Sequence, residues 1–199
     1  MTQEEKIREI FKDSGGIVRA SALRQLGVHS VYLSRMCNAG KVSRIRRGIY
    51  EWVEDGVKTD IEIISQVLPE AILCLHSALA YYGYIDRTPA IWHVAMDKNR
   101  SRWRAKINYP PVKAHYVATH IYDLGRSRCE IDGTQIWIYD RERTLCDTLK
   151  HANRLDPEIV RQAIRSYIND GEHNVSLLKE YARRLRVQHA VQSLIGVWL

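Results

Sequence analysis

Between Leu26 and Trp52 the chain reads LGVHSVYLSRMCNAGKVSRIRRGIYEW, and few folds accommodate that order of turn, short helix and basic hairpin. Gly27 supplies a tight turn, and Ser30 is expected to cap a helix whose inward stripe is Leu33, Met36 and Cys37. Val31, Tyr32, Ser34, Arg35 and Asn38 fall on other faces, and Asn38-Ala39-Gly40 stops the helix. Val42 to Arg46 then reads as one strand, Arg47-Gly48 as a turn and Ile49 to Val53 as the returning strand, with Tyr50 and Trp52 on one face at period two. Upstream, Ile7, Ile10 and Phe11 recur at helical spacing in Gln3 to Lys12, which ends at Asp13-Ser14-Gly15-Gly16. Ser21 is expected to cap a second short helix with Ala22, Leu23 and Leu26 inside. Three short helices followed at once by a basic hairpin give the layout of a winged helix-turn-helix.

The charges fit that layout. From Met1 to Tyr50 there are ten cations, Lys6, Arg8, Lys12, Arg19, Arg24, Arg35, Lys41, Arg44, Arg46 and Arg47, against Glu4, Glu5, Glu9 and Asp13, a net of +6. The acids sit in the first helix. A wing lies along the phosphate backbone, so Arg44, Arg46 and Arg47 are expected at phosphates or in the minor groove, with Ile45, Ile49 and Tyr50 holding the hairpin against the helices. Arg35, Tyr32 and Ser34 are the expected reading residues of the recognition helix, His29 and Ser30 lie at its start, and Arg19 and Ser21 flank it. The partner implied is double-stranded DNA, in keeping with a formal charge of +7 over 199 residues.

Beyond Asp55-Gly56 the composition changes, which marks a boundary between residues 1–57 and a larger unit, 58–199. Asp60 to Leu68 reads as a short apolar helix broken by Pro69, and Ala71 to Tyr82 as another. Strands are expected at Ile91 to Met96 and Lys113 to Val117, separated by the basic stretch Asp97 to Lys106, which suits a solvated loop or a second nucleic-acid contact. Asp132-Gly133 is a type I′ turn signal between alternating strands. Amphipathic helices follow at about Arg141 to Ala152, Pro157 to Asn169 and Val175 to Val187, and an apolar piece, Ala190 to Leu199, closes the chain. The fold class is α+β: a winged helix followed by a larger mixed α/β domain ending in a helical bundle.

Catalytic and metal chemistry find little footing. Asp140, Glu142 and Asp147 could serve a metal-dependent nuclease. The five-residue spacing of Glu142 and Asp147 turns them off one helical face, however, and Asp140 with Glu142 suits helix capping. His115 and His120, five apart in a strand, would face opposite ways, and Cys37, Cys74, Cys129 and Cys146 have no C-x-x-C spacing, so neither metal nor cofactor is implied. Ser77 has no nucleophile elbow around it. Scattered cysteines suit a reducing cytoplasm. The acidic start MTQEEKIREIF and the lack of an apolar run near ~18 residues argue against a leader or a membrane span.

The run LRQLGVHSVYLSRMCNAGKVSRIRRGIY resembles the N-terminal winged helix of the AbiEi antitoxins of type IV toxin-antitoxin systems, with Gly40, Val42, Arg44, Ile45, Arg47, Gly48, Ile49 and Tyr50 matching the family's wing pattern. LHSALAYYGYIDRTPAIWHVAMD, IDGTQIWIYDRERTLCDTLKH and LLKEYARRLRV are similar to that family's core and occur in the same order, with departures at His76 and Tyr81-Tyr82. The resemblance implies an antitoxin that represses its own promoter and counters a cognate nucleotidyltransferase toxin, without enzymatic activity of its own. The alternatives are a nuclease targeted by a winged helix and a stand-alone regulator without a toxin.

Overall fold

The computed structural model describes residues 2–53, 58–99 and 107–194. The composition break at Asp55-Gly56, the basic stretch from Arg100 to Lys106 and the apolar end from Ile195 lie outside the described residues. The chain divides into two compact units, Met1–Pro69 with Ala105–Pro111, and Glu70–Arg104 with Val112–Leu199. The first unit is larger than the segment that composition marks off, because the helix before Pro69 groups with it.

In the first unit α1 (Gln3–Asp13) starts at a capping box, Thr2 accepting from the Glu5 N–H while the Glu5 side chain accepts from Thr2. β1 (Ile17–Arg19), α2 (Ala20–Gln25), α3 (Ser30–Asn38), β2 (Val42–Arg46), β3 (Ile49–Trp52) and α4 (Asp60–Val67) follow. The three strands form an antiparallel sheet in the order β1-β3-β2. Ile7, Phe11, Val18, Leu23, Val28, Leu33, Met36, Val42 and Trp52 make one buried core, with Tyr50 packed on it. These elements define a winged helix-turn-helix, as the sequence predicts.

Four details differ from the sequence reading. Leu26, expected inside with Ala22 and Leu23, is 50% exposed, because α2 ends at Gln25 and leaves it at the cap position. β1 is too short, at three residues, to show a period. Ser21 and Ser30 lie inside α2 and α3; the cap positions are Arg19 and His29, and neither helix has a side-chain cap bond. Extended backbone just before each helix supplies the entry geometry without a capping oxygen. Finally, the register of β2 on β3 shifts between Arg44 and Arg46, a bulge that sets Ile45 and Arg46 against the single residue Ile49. Tyr50 therefore meets the helical core, whereas Ile45 and Ile49 are buried outside that cluster. The Asn108 N–H donates to the Ile45 carbonyl at 2.8 Å.

The second unit is built on β4 (Ile72–Leu73), α5 (Leu75–Tyr81), β5 (Trp92–Asp97), β6 (Val112–Val117), α6 (Thr119–Tyr122), β7 (Arg126–Ile131) and β8 (Thr134–Tyr139). Its mixed sheet has the order β6-β5-β4-β8-β7, with β5 parallel to β6 and β4 parallel to β8. The expected helix Ala71 to Tyr82 is thus a central strand followed by a helix. Its apolar run has no period that separates the two, and the chain turns at Leu75, whose φ is +45°. The β7–β8 hairpin turns through Asp132 at φ +50° and Gly133 at +75°, the type I′ signature read from the sequence.

α7 (Arg141–Lys150), α8 (Pro157–Asn169), α9 (Val175–Leu185) and α10 (Gln188–Leu194) complete this unit. Asp140, Asp156 and Asn174 cap the first three of these, and Pro157 occupies the first turn of α8. Leu145, Leu149, Ala163, Tyr167, Leu178 and Leu185 bury their inner faces together with Leu79 of α5. Among the described residues no helix is long and apolar enough to cross a membrane.

Candidate nucleic-acid interface

α3 owes its orientation to Leu33 and Met36, which are buried in the core of the first unit. At 3.6 residues per turn this leaves Val31, Ser34, Arg35 and Asn38 as an outward stripe with Tyr32 beside it, and all five are exposed. The Arg35 guanidinium lies 6.0 Å from the Tyr32 ring centre, at the outer edge of cation–π range. His29 and Ser30, at the start of the helix, are exposed as well, and so is Ser21 in the first turn of α2.

The wing presents its arginines in a row. Arg19 of β1 and Arg46 of β2 both register with Ile49 of β3, so directly opposed positions carry the two side chains to one face of the sheet, either side of that isoleucine. Arg44 and Arg47 are exposed and Arg46 is half-buried. Burial first, and then the nearby Arg19 charge, hold the Arg46 guanidinium below the usual arginine pKa. Its Nε is buried and has no hydrogen-bond partner. Among the described residues no carboxylate forms an ion pair with Arg19, Arg35, Arg44, Arg46 or Arg47, whereas Lys41 at the base of the wing contacts Glu4 of α1.

The turn that carries this row is fixed by Gly48, whose φ of +79° suits the two-residue link after Arg46. The Gly48 carbonyl accepts from the Ala20 N–H at 2.9 Å, tying the wing tip to the start of α2. Every sequence-predicted residue except Arg46 is thus exposed on α2, α3 or the wing sheet. Sequence reasoning passed over Val31 and Asn38. The helical wheel already placed both opposite the buried stripe, but an apolar and an uncharged residue carry no electrostatic signal.

The carboxylates of the second unit have structural partners. Asp140 Oδ1 accepts from the Arg143 N–H at 2.8 Å, and its Oδ2 accepts from the Tyr181 hydroxyl at 3.0 Å. Glu142 accepts from the Asn174 N–H at 2.6 Å and from the Tyr167 hydroxyl at 3.2 Å. Asp147 Oδ2 accepts from Arg143 Nε at 2.9 Å. His120 lies on α6 rather than in the strand of His115, contrary to the sequence reading, and His115 meets a residue from another strand: its Nε2 lies 3.2 Å from His93 Nδ1, and the His76 ring centre lies 4.6 Å from that of His93 at a tilt. Among the described residues no group of three His, Cys, Asp or Glu side chains is placed to hold a metal ion.

Helix-turn-helix, recognition helix and basic wing together place the first unit among the winged-helix domains. Residues 5–51 match the model of the family described as transcriptional regulator, AbiEi antitoxin. The match falls within the first unit. No curated protein matches the chain.

Proposed function

We propose that the chain binds double-stranded promoter DNA through α3 and its wing, represses the operon that encodes it, and counters a nucleotidyltransferase toxin encoded beside it. The observation that carries the DNA reading is the Arg19–Arg46 row. Two like charges share one face of a small sheet, no carboxylate among the described residues pairs with them, and a buried guanidinium nitrogen has no acceptor among those residues. Such a pair raises the free energy of the isolated protein and is relieved by an anion seated between its members, which a backbone phosphate supplies. The exposed α3 stripe then lies where base edges are read, with Arg35 at a base or phosphate and Ser21, His29, Ser30, Tyr32 and Ser34 around it. Arg44 and Arg47 extend the phosphate track along the wing.

The antitoxin role rests on the family match and on the likeness of the second unit's sequence to the same family's core. The test has two arms. Wild-type protein should retard the DNA upstream of its own reading frame in a gel-shift titration and repress a reporter driven by it. Arg35→Ala should lose about 1 to 3 kcal/mol of specific binding. Co-expression with the nucleotidyltransferase encoded in the adjacent reading frame should restore growth that the toxin alone arrests. Promoter binding unaffected by Arg35→Ala together with Arg46→Ala would overturn the DNA reading, and failure to restore growth would overturn the antitoxin role.

A further inference from the structure

We infer that Val31 is a sequence-reading residue, packing its isopropyl group on the C5-methyl of a thymine in the operator. This rests on the DNA reading above and names a base that the recognition helix selects. Val31 is 58% exposed, although valine is among the residues most often buried. Its position explains the exposure: it lies one turn before Arg35, directly opposite the Leu33 and Met36 side of α3. A branched apolar side chain at the centre of the outward face gains nothing in the free protein. It also lowers helix propensity slightly relative to the polar residues that usually fill such a site.

Placed in a major groove, the same side chain meets an environment that suits it. The groove edge of the four base pairs offers hydrogen-bonding groups nearly everywhere, and the thymine C5-methyl is its one apolar feature. An aliphatic group facing that methyl removes apolar surface from water on both partners, whereas facing a guanine or cytosine edge it would strip water from donors and acceptors without replacing the bonds. The neighbours of Val31 on the stripe complete a mixed reading set. Arg35 suits the O6 and N7 acceptors of guanine, Asn38 the N7 and N6 of adenine, and Ser34 serves either. At a rise of 1.5 Å per residue Arg35 lies about 6 Å further along the helix than Val31, under two base-pair steps. A thymine and a guanine are therefore expected within two steps of each other in the half-site.

The test removes one methyl at a time. Footprinting on the DNA upstream of the chain's own reading frame defines a short duplex, and each thymine in it is replaced in turn by deoxyuridine, which pairs identically but lacks the methyl. Wild-type protein should lose about fourfold in affinity at one such position, the value of one buried methyl group. Val31→Ala should bind the unmodified duplex about as weakly as wild type binds that deoxyuridine duplex, and should show no further loss on it. Its melting temperature should be unchanged or slightly raised, since the side chain supports no core contact in the free protein and alanine favours the helix. A thymine that remains sensitive in Val31→Ala, or an operator with no sensitive thymine, overturns the assignment while leaving promoter binding intact. Failure of wild type to bind the upstream DNA at all would overturn the DNA reading and this inference with it.

Discussion

Arg143 and Asp147 stand one turn apart on α7, and the guanidinium Nε donates to the carboxylate at 2.9 Å with both residues buried. Arg143 also donates from Nη1 to the Ile121 and Leu124 carbonyls at 2.7 and 2.9 Å and lies 4.2 Å from the centre of the Tyr139 ring. One side chain thus joins the end of α6 and the loop after it to α7. Burial pushes the Asp147 carboxyl upward and the Arg143 charge opposes that shift. Removing one partner of such a pair leaves an uncompensated buried charge and severed carbonyl bonds.

Arg143→Met should accordingly destabilise the protein by about 3 to 5 kcal/mol, and Asp147→Asn, which keeps the volume and a hydrogen-bond acceptor, by about 1 to 3 kcal/mol. Urea denaturation measures both. The structural role also predicts that magnesium alters neither the stability nor the DNA of wild-type samples. Magnesium-dependent DNA cleavage that Asp147→Asn abolishes at unchanged stability would reinstate the nuclease reading.

The histidine cluster predicts acid sensitivity. Burial, reinforced by His76, His115 and Lys113, pushes His93 down to about 3; burial, Lys113, His151 and His76 push His115 down to about 4. In the unfolded chain both titrate near 6.5. Between those limits the unfolded chain takes up protons that the folded chain refuses, so the contribution to stability is fully present above pH 6.5 and is lost as pH falls toward the folded values. Urea midpoints should report a loss of about 1 to 2 kcal/mol between pH 7 and pH 5 beyond that of a His93→Gln variant. An identical pH dependence in the variant would remove the cluster as its source.

Wing arginines acting through phosphates should be visible in salt. Arg19→Ala and Arg46→Ala should each lower the slope of log affinity against log salt by about 0.9, and should weaken specific and nonspecific duplexes alike. Relieving the repulsion between the two should raise the thermal stability of the free protein slightly, opposite in sign to its effect on binding. An unchanged slope in both variants would place these side chains away from the backbone.

The winged helix was legible because its signals are local: the Gly27 turn, the Leu33–Met36 stripe and the Arg47-Gly48 link all lie within thirty consecutive positions. The Asp132-Gly133 hairpin and the three amphipathic helices were legible for the same reason. β4 was not, because its two residues gain their identity from pairing with β5 and β8 on either side. The His76–His93–His115 cluster was equally hidden, since its members come from α5, β5 and β6 and no spacing along the chain relates them. The Arg19–Arg46 row needed the β1 register, and β1 itself lay below the length at which alternation can be seen.

Two glycines with the same backbone demand should respond to alanine by different amounts. Gly48 has φ +79° and nothing within 4 Å of a added Cβ, whereas Gly125 has φ +74° and would place that Cβ 2.6 Å from the Arg143 Cβ and 2.9 Å from Asp140 Oδ1. The left-handed backbone alone costs about 1 to 2 kcal/mol, so Gly48→Ala should destabilise by about that much. Its larger effect should be on DNA binding, through the misdirected Arg46 and Arg47. Gly125→Ala meets the same strain, and it also collides with the base of the buried arginine and with the carboxylate that caps α7. The Arg143 Cβ is fixed to the backbone, and the Asp140 carboxylate is held by the Arg143 N–H and the Tyr181 hydroxyl. The two effects together should cost about 2 to 5 kcal/mol, with promoter affinity of the folded fraction unchanged. Thermal melts and gel-shift titrations on the two variants separate the cases: equal destabilisation would show that the crowding at Gly125 relaxes freely, and a loss of DNA affinity confined to Gly125→Ala would reverse the assignment of the wing.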